Sequence, residues 1–410
     1  MTKLLPLLGL LFLFSCGKDP APPSPITPPA TTDSATVTVS NGYGSGKYKV
    51  GDTVHIFSIA LTDAQIFDTW SSTDIALLNA RDEWHTWFIM PAKAVTFTGS
   101  IKAITPVTLQ FENIRGRDRL KPVYSFFPAG HKGFVYVLHG SGGTAQAAVS
   151  NYEFRQLMKE LVADNFGILI TESEESTTGI DANADGKIRW NPYPADTLTN
   201  IDYINIRVLT DTFYNRGTTN RSKPRYSVGM SNGGNFSAVL SSTYKYKAAV
   251  SYCAPSGGLV ALTSQTPLQF CMARYDNHEN VGPQGNADAL NNSNTLTGKG
   301  VCSKYFIKER CPLYPERFAR RGDISIAKST AVFNELKGKG YLDAKNYFKG
   351  FSDVLNTAYT ANPASFPEIQ SLTILQRLFV LEQIDLSVSD HQMYSDFNKV
   401  TLRFLNQQCL

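Results

Sequence analysis

The run Arg225-Tyr226-Ser227-Val228 passes without a break into Gly229-Met230-Ser231-Asn232-Gly233-Gly234. A β-type run that ends in G-x-S-x-G marks a sharp strand-to-helix turn, which lifts one serine out of its surroundings. The turn strains the serine backbone, and the flanking glycines let neighbouring elements close in on it. A serine hydroxyl is a poor nucleophile until a base and an oxyanion site accompany it. Both have candidates in the required order. Upstream, Val135-Tyr136-Val137-Leu138 runs into His139-Gly140-Ser141-Gly142-Gly143, and near the C-terminus His391 follows another apolar stretch.

The chain around this motif alternates. From about residue 105, strand-like runs at 134–138, 166–171, 225–228, 248–252, 268–273 and 379–386 are separated by amphipathic stretches. Residues 152–163 place Phe154, Leu157, Met158 and Leu161 on one face, and 201–213 do the same with Ile204, Val208 and Phe213. Such alternation predicts a mainly parallel sheet covered by helices on both faces, here an α/β-hydrolase with its nucleophile at a strand C-terminus. Between about 282 and 375 the alternation lapses into a region with Cys302, Cys311, a helix-like 326–336 and the aromatics Tyr341, Tyr347 and Phe348. Lying between acid and histidine, it reads as a helical cap insertion that shapes the substrate pocket.

Elimination selects the base. Of six histidines, His55 and His85 belong to an N-terminal β region, His131 precedes the first core strand, and His139 opens the glycine loop. His278 sits too close to the acid strand, which leaves His391, after a late apolar run and before the helix-like 393–407. The acid must hold the imidazole in one tautomer and stabilise the imidazolium. Asp276 directly follows the run 268–272 and is the first choice; Asp288, Asp385 and Asp390 compete. The backbone N–H of Asn232 and an N–H of the 139–143 loop, that of Ser141, are the expected oxyanion donors, with His139, Gly140, Gly142 and Gly143 shaping that loop.

The segments Leu138-His139-Gly140-Ser141-Gly142-Gly143, Gly229-Met230-Ser231-Asn232-Gly233-Gly234 and Asn200-Ile201-Asp202-Tyr203-Ile204 together resemble the polyhydroxybutyrate depolymerase and feruloyl/acetylxylan esterase group. The resemblance covers roughly 120–281 and 379–408. It implies an ester hydrolase in which Asp202 gives structural support from a helix. The chain departs from the group in its long insertion and in the longer acid loop Asn277-His278-Glu279-Asn280.

The N-terminus reads as an export signal. Met1-Thr2-Lys3 precedes an apolar run at 4–14, too short to span a bilayer. Leu13-Phe14-Ser15-Cys16 resembles a bacterial lipobox, which makes Cys16 the lipidated first residue of a mature chain held at the bacterial envelope. Residues 1–15 are thus signal peptide and 16–34 a proline-rich extended linker. Residues 35–104 alternate apolar and polar positions between glycine turns, predicting a small antiparallel β module. Its Tyr48, Gly51, Asp52, Phe67, Trp70, Phe88, Met90 and Val95 resemble one Listeria–Bacteroides cell-surface repeat. Trp70, Trp84 and Trp87 read as its core rather than a carbohydrate platform, and the module as a spacer or adhesion unit. Residues 105–410 are then the hydrolase domain.

A net charge of +4 without a basic block gives no reason to invoke nucleic acid. Beyond Cys16, five cysteines remain. Cys302 with Cys311 is the easiest disulfide by spacing, Cys253 and Cys271 read as neighbours on adjacent strands, and the odd count leaves a thiol over. Asp181-Ala182-Asn183-Ala184-Asp185-Gly186-Lys187 starts like a calcium loop, with Asp181, Asn183, Asp185 and the Lys187 carbonyl as ligands of a structural ion. Its twelfth position is Pro192, so Glu172, Glu174 or Glu175 would have to complete it.

The chain is therefore expected to be an exported serine esterase that requires no cofactor and acts on feruloyl or acetyl esters of polysaccharide fragments. The alternatives are a polyhydroxyalkanoate or other polyester depolymerase, a serine peptidase, and a non-catalytic surface-binding protein.

Overall fold

The computed structural model describes residues 33–409; the signal run, Cys16 and the linker as far as residue 32 lie outside the described residues. The hydrolase region is built on eight strands: β1 (Gln110–Arg115), β2 (Leu120–Phe126), β3 (Gly133–Leu138), β4 (Phe166–Ile170), β5 (Arg225–Met230), β6 (Ala248–Tyr252), β7 (Leu268–Ala273) and β8 (Ser303–Lys308). They form one sheet in the order β1-β2-β4-β3-β5-β6-β7-β8. β3 to β8 run parallel, while β1 pairs antiparallel with β2 and β2 with β4. This is the strand order of the α/β-hydrolase fold.

Both faces are covered, so the central strands read as continuous apolar runs. The two-residue period of β3 sends Phe134, Tyr136 and Leu138 into one core and Val135 and Val137 into the other. The first core is closed by α2 (Ile201–Asn215), α3 (Asn232–Tyr244) and α4 (Gly282–Gly298). The second is closed by α1 (Tyr152–Ala163) and α8 (Asn398–Gln407). Side-chain caps start several of these helices: Asn151 accepts from Phe154 N–H ahead of α1, and Asn200 from Asp202 N–H ahead of α2.

Two expectations fail in informative ways. Residues 282–308 are not part of an insertion: α4 packs on the sheet, and β8 pairs in parallel with β7 from Ser303↔Leu268 to Lys308↔Ala273. The helical insertion starts after Lys308 and carries α5 (Ile326–Gly338) and α6 (Ser352–Ala361). The stretch 379–386, read as a strand, lies in helix α7 (Ile374–Val388), opened by a Thr373–Gln376 capping box. Phe379, Val380, Gln383, Ile384 and Val388 are its buried side, a helical rather than an alternating spacing. With Leu313, Phe318, Val332, Leu336 and Phe348, its Phe379, Val380, Ile384 and Val388 form the insertion's own core.

The aromatics expected to face a substrate are turned elsewhere. Tyr341 stacks on Phe348, with centroids 5.8 Å apart, and the Tyr347 hydroxyl meets His55 Nε2 at 3.2 Å.

The β module is two small sheets. One has four strands and contains a parallel pair, Ser34–Ser40 with Val95–Ala103, against the all-antiparallel expectation; the other has three. Trp70 and Trp84 are core residues, whereas Trp87 is exposed. The module is docked rather than tethered. Cys311 and Tyr314 of the insertion enter its core, and the Arg320 guanidinium lies 3.7 Å from the Trp84 ring while bonding Glu153 at 3.0 Å. Cys311 is therefore not the partner of Cys302, which instead bridges to Cys409 and ties the end of α8 to β8. Cys253, directly after β6, and Cys271 on β7 are neighbours, as read, but as buried thiols: Cys253 N–H donates to Cys271 O at 2.9 Å.

Candidate active site

β5, β6 and β7 are neighbours, and their C-terminal ends deliver Ser231, Cys253 and Asp276 to one corner of the sheet. Ser231 has φ +57° and ψ −127°, a conformation that costs about 1–3 kcal/mol and persists only where the surroundings impose it. They do so through contacts that admit no side chain. A Cβ on Gly229 would meet Gly233 O at 2.1 Å, and one on Gly233 would meet His139 O at 2.2 Å. Ser231 N–H donates to Tyr252 O at 2.8 Å, which ties the elbow to β6. α3 starts immediately after Ser231 with no side-chain cap, so its first-turn N–H groups and its dipole favour negative charge beside the serine.

The 139–143 loop is held from below. His139 is buried; its Nδ1 lies 2.7 Å from Gly140 O and its Nε2 accepts from Ser173 N–H at 3.2 Å, which fixes the neutral Nδ1–H tautomer. Burial lowers its pKa to about 4. Gly142 N–H donates to Ile188 O at 2.7 Å, while Ser141 is exposed at the loop tip.

Trp190 is the residue that sequence reasoning missed. Its indole N–H donates to His139 O at 3.1 Å and its ring stacks on Phe236 at 4.7 Å. The Asn232 amide pairs with the Trp190 backbone through both Oδ1 (2.9 Å) and Nδ2 (3.1 Å). Trp190 thus fastens glycine loop and elbow together, the first through its indole and the second through its backbone, and only the isolated Trp in a polar loop hints at it.

The structure sorts the four candidate acids. Asp276 is buried; its Oδ2 lies 2.7 Å from His391 Nδ1, and its Oδ1 accepts from His278 N–H at 3.0 Å. Asp390 accepts instead from Asn277 N–H at 2.9 Å and steadies the acid loop. Asp385 accepts from Ser352 N–H and Oγ–H, and burial raises its pKa to about 6. Asp288 accepts only from Gln284 on the exposed side of α4. His391 Nε2 is buried and has no hydrogen-bond partner among the described residues. A second unforeseen neighbour covers its ring: His278 stacks on it at 4.4 Å, with its own pKa lowered by burial and by His391.

Asp202 is a structural support, buried and accepting from Glu174 N–H (2.7 Å) and Asn191 N–H (2.9 Å). Burial, the dominant influence, lifts its pKa to about 6.

The 181–187 loop folds tightly, with Asp181 accepting from the N–H groups of Asp185 and Gly186. Asn183 Oδ1 also accepts from Asp185 N–H, and Arg189 lies 2.6 Å from Asp185 Oδ2. Lys187 pairs through its ammonium with Glu279 of the acid loop at 2.6 Å. Glu172, Glu174 and Glu175 are each engaged, with Ala145 N–H, with Arg119 and Lys121, and with Arg189 N–H respectively.

No protein-family profile and no curated protein match the chain. Solved structures resemble it weakly. A dienelactone hydrolase from Anabaena variabilis is 16% identical, over 50% of this chain and 88% of that one, at a TM-score of 0.38. A ferulic acid esterase is 11% identical over 49% and 89%, at 0.36. A Butyrivibrio proteoclasticus protein solved with ferulic acid bound is 11% identical over 48% and 88%, at 0.35. The assignment of the α/β-hydrolase fold rests on the strand order itself.

Proposed function

We propose that the chain is an exported serine esterase whose nucleophile is Ser231. The observation that carries this reading is the Asp276–His391 pair at 2.7 Å, whose outer nitrogen is unpaired at the corner occupied by a strained, uncapped Ser231. Asp276 accepts Nδ1–H, so Nε2 keeps its lone pair and takes the serine proton as Oγ attacks the ester carbonyl. The N–H of Asn232 and that of Ser141 receive the developing oxyanion. The imidazolium returns its proton to the leaving alcohol, and water then releases the acid by the same steps in reverse order. This chemistry calls for no cofactor; calcium on the 181–187 loop would act on loop stability alone.

Our reading of the substrate is a feruloyl or acetyl ester on a polysaccharide fragment, met outside the cell by an enzyme lipidated at Cys16. The exposed Tyr275, beside Asp276, and Tyr193, three residues from Trp190, supply rings for a phenolic or sugar face at the rim. One observation favours polyester as the second reading: Leu198, on the turn ahead of α2, and Leu259, in the short helix Gly258–Thr263 that follows β6, are also exposed. Assay of purified protein on feruloyl sugars, acetylated xylan fragments and polyhydroxybutyrate film decides between them. Sugar-ester turnover lost in Ser231→Ala supports the first, and film clearing without sugar-ester turnover replaces it with the second. Membrane fractionation of Cys16→Ala tests the anchor, which predicts release or failed processing.

A further inference from the structure

Cys253 is a buried thiol that no step above uses. It follows β6 directly with φ +47°, and its Sγ–H donates to Gln392 O at 3.2 Å. Its Sγ, a carboxylate oxygen of Asp276 and a ring nitrogen of His391 all lie within 4.8 Å of one another. Thiolate, carboxylate and imidazole form the donor set that zinc and its softer relatives take, and three such ligands leave a fourth position for water. Metal–ligand bonds of about 2.0–2.3 Å put tetrahedral ligand atoms roughly 3.3–3.7 Å apart, so closure needs the ligand atoms to move by about 1 Å.

We propose that Cys253, Asp276 and His391 form a binding site for a soft divalent cation, and that occupancy switches the enzyme off. Charge favours it: one thiolate and one carboxylate neutralise the dication, so the buried cluster carries no net charge. The thiol proton leaves to solvent, and the imidazole stays neutral. If the metal takes Nδ1, the ring proton moves to Nε2; if it takes Nε2, that lone pair is occupied. Either way the ring no longer accepts the Ser231 proton. Binding stands on the three ligands alone, whereas the inhibition rests on the esterase reading.

Cadmium tests the site spectroscopically, because its bond to a thiolate gives an ultraviolet charge-transfer band. The full chain carrying Ser231→Ala is titrated with cadmium, alone and with Cys253→Ala, Cys271→Ala or Cys311→Ala added. The band is expected to saturate at one equivalent and to be lost without Cys253, whose thiolate gives it, with Cys271 and Cys311 indifferent. Cys253→Ser is the second variant should the alanine form not fold, and the same loss is expected.

In parallel, zinc inhibition of a nitrophenyl ester is read against each protein's own metal-free rate. EDTA is expected to reverse it, and Cys253→Ala to require at least about tenfold more zinc. A band that survives loss of Cys253 overturns the site. A Cys253-dependent band with zinc-insensitive turnover overturns the inhibition. A Cys253-dependent band in a protein that hydrolyses no ester supports the site and counts against the esterase reading instead.

Discussion

Two aspartate–histidine pairs of the same geometry sit in this molecule. Asp276 meets His391 at 2.7 Å beside the elbow, and Asp396 meets His85 at 2.7 Å where the β module docks. What surrounds them separates the pair proposed for catalysis from one built into the structure. The His391 side chain is 12% exposed and its Nε2 is unpartnered; the His85 side chain is 4% exposed and its Nε2 meets His55 Nδ1 at 3.0 Å. Lys308 lies 2.5 Å from Asp396 and 2.8 Å from His85 Nδ1, and Tyr347 closes the far end on His55. The second chain of contacts therefore joins hydrolase body, β module and insertion without an open end. A pair does chemistry where one nitrogen is left for a substrate proton, and locks parts together where every polar atom is already engaged.

The largest expected effect comes from breaking one pair and then the other. His391→Ala should lower turnover about 10⁶-fold and Asp276→Asn about 10⁴-fold, with melting temperatures close to that of the parent. Asp396→Ala should do the reverse, retaining measurable turnover in the folded fraction while costing about 3–5 kcal/mol by stranding the buried Lys308 ammonium. Steady-state kinetics and urea denaturation on the three variants check this. A turnover loss in Asp396→Ala matching that of Asp276→Asn would dissolve the distinction.

Acid should sharpen the contrast. Burial above all, then His85 and Lys308, lowers the pKa of His55 to about 2; burial, with help from Lys308, lowers that of His85 to about 3. Unfolded histidines titrate near 6.5, so below that pH the unfolded chain binds more protons than the folded one. Stability from this cluster is complete above about pH 6.5 and falls by up to ~1.4 kcal/mol per pH unit per histidine towards pH 3. The Asp396 carboxyl, held well below the usual range by Lys308 and His85, adds a loss of the same sign once ordinary carboxylates protonate. His55→Gln should flatten the dependence of urea midpoints on pH between about 6.5 and 4; an unchanged slope would show that the cluster does not govern acid stability.

The smallest effect belongs to the calcium loop. Arg189 already neutralises Asp185, so calcium should raise the melting temperature by only about 2 °C, and by more in Arg189→Ala. Asp181→Ala should abolish the response, and indifference of all three proteins to calcium and chelator would leave the loop as a polar turn.

The two regions were not equally legible. Asp276 and His391 are 115 residues apart, yet the elbow, the glycine loop and the required chain order single them out. His85 and Asp396 are 311 residues apart with no motif to link them, so the module read as a detached spacer. The parallel strands were readable because sheets buried on both faces demand continuous apolar runs. The same shortness misled at 379–386, where Phe379, Val380 and Ile384 belong to a helix face. Trp190 and His278 act through stacking and backbone contacts that leave no spacing pattern, and the Cys302–Cys409 bridge depends on where the C-terminal helix lands.

In the proposed mechanism His391, aimed by Asp276, activates Ser231. Intact-mass and peptide analysis after exposure to a fluorophosphonate tests it most directly. A single adduct on Ser231 is expected, slowed by orders of magnitude in Asp276→Asn and His391→Ala and formed at a similar rate in folded Asp396→Ala. An adduct on another serine, or labelling of Ser231 at an undiminished rate without His391, would contradict it.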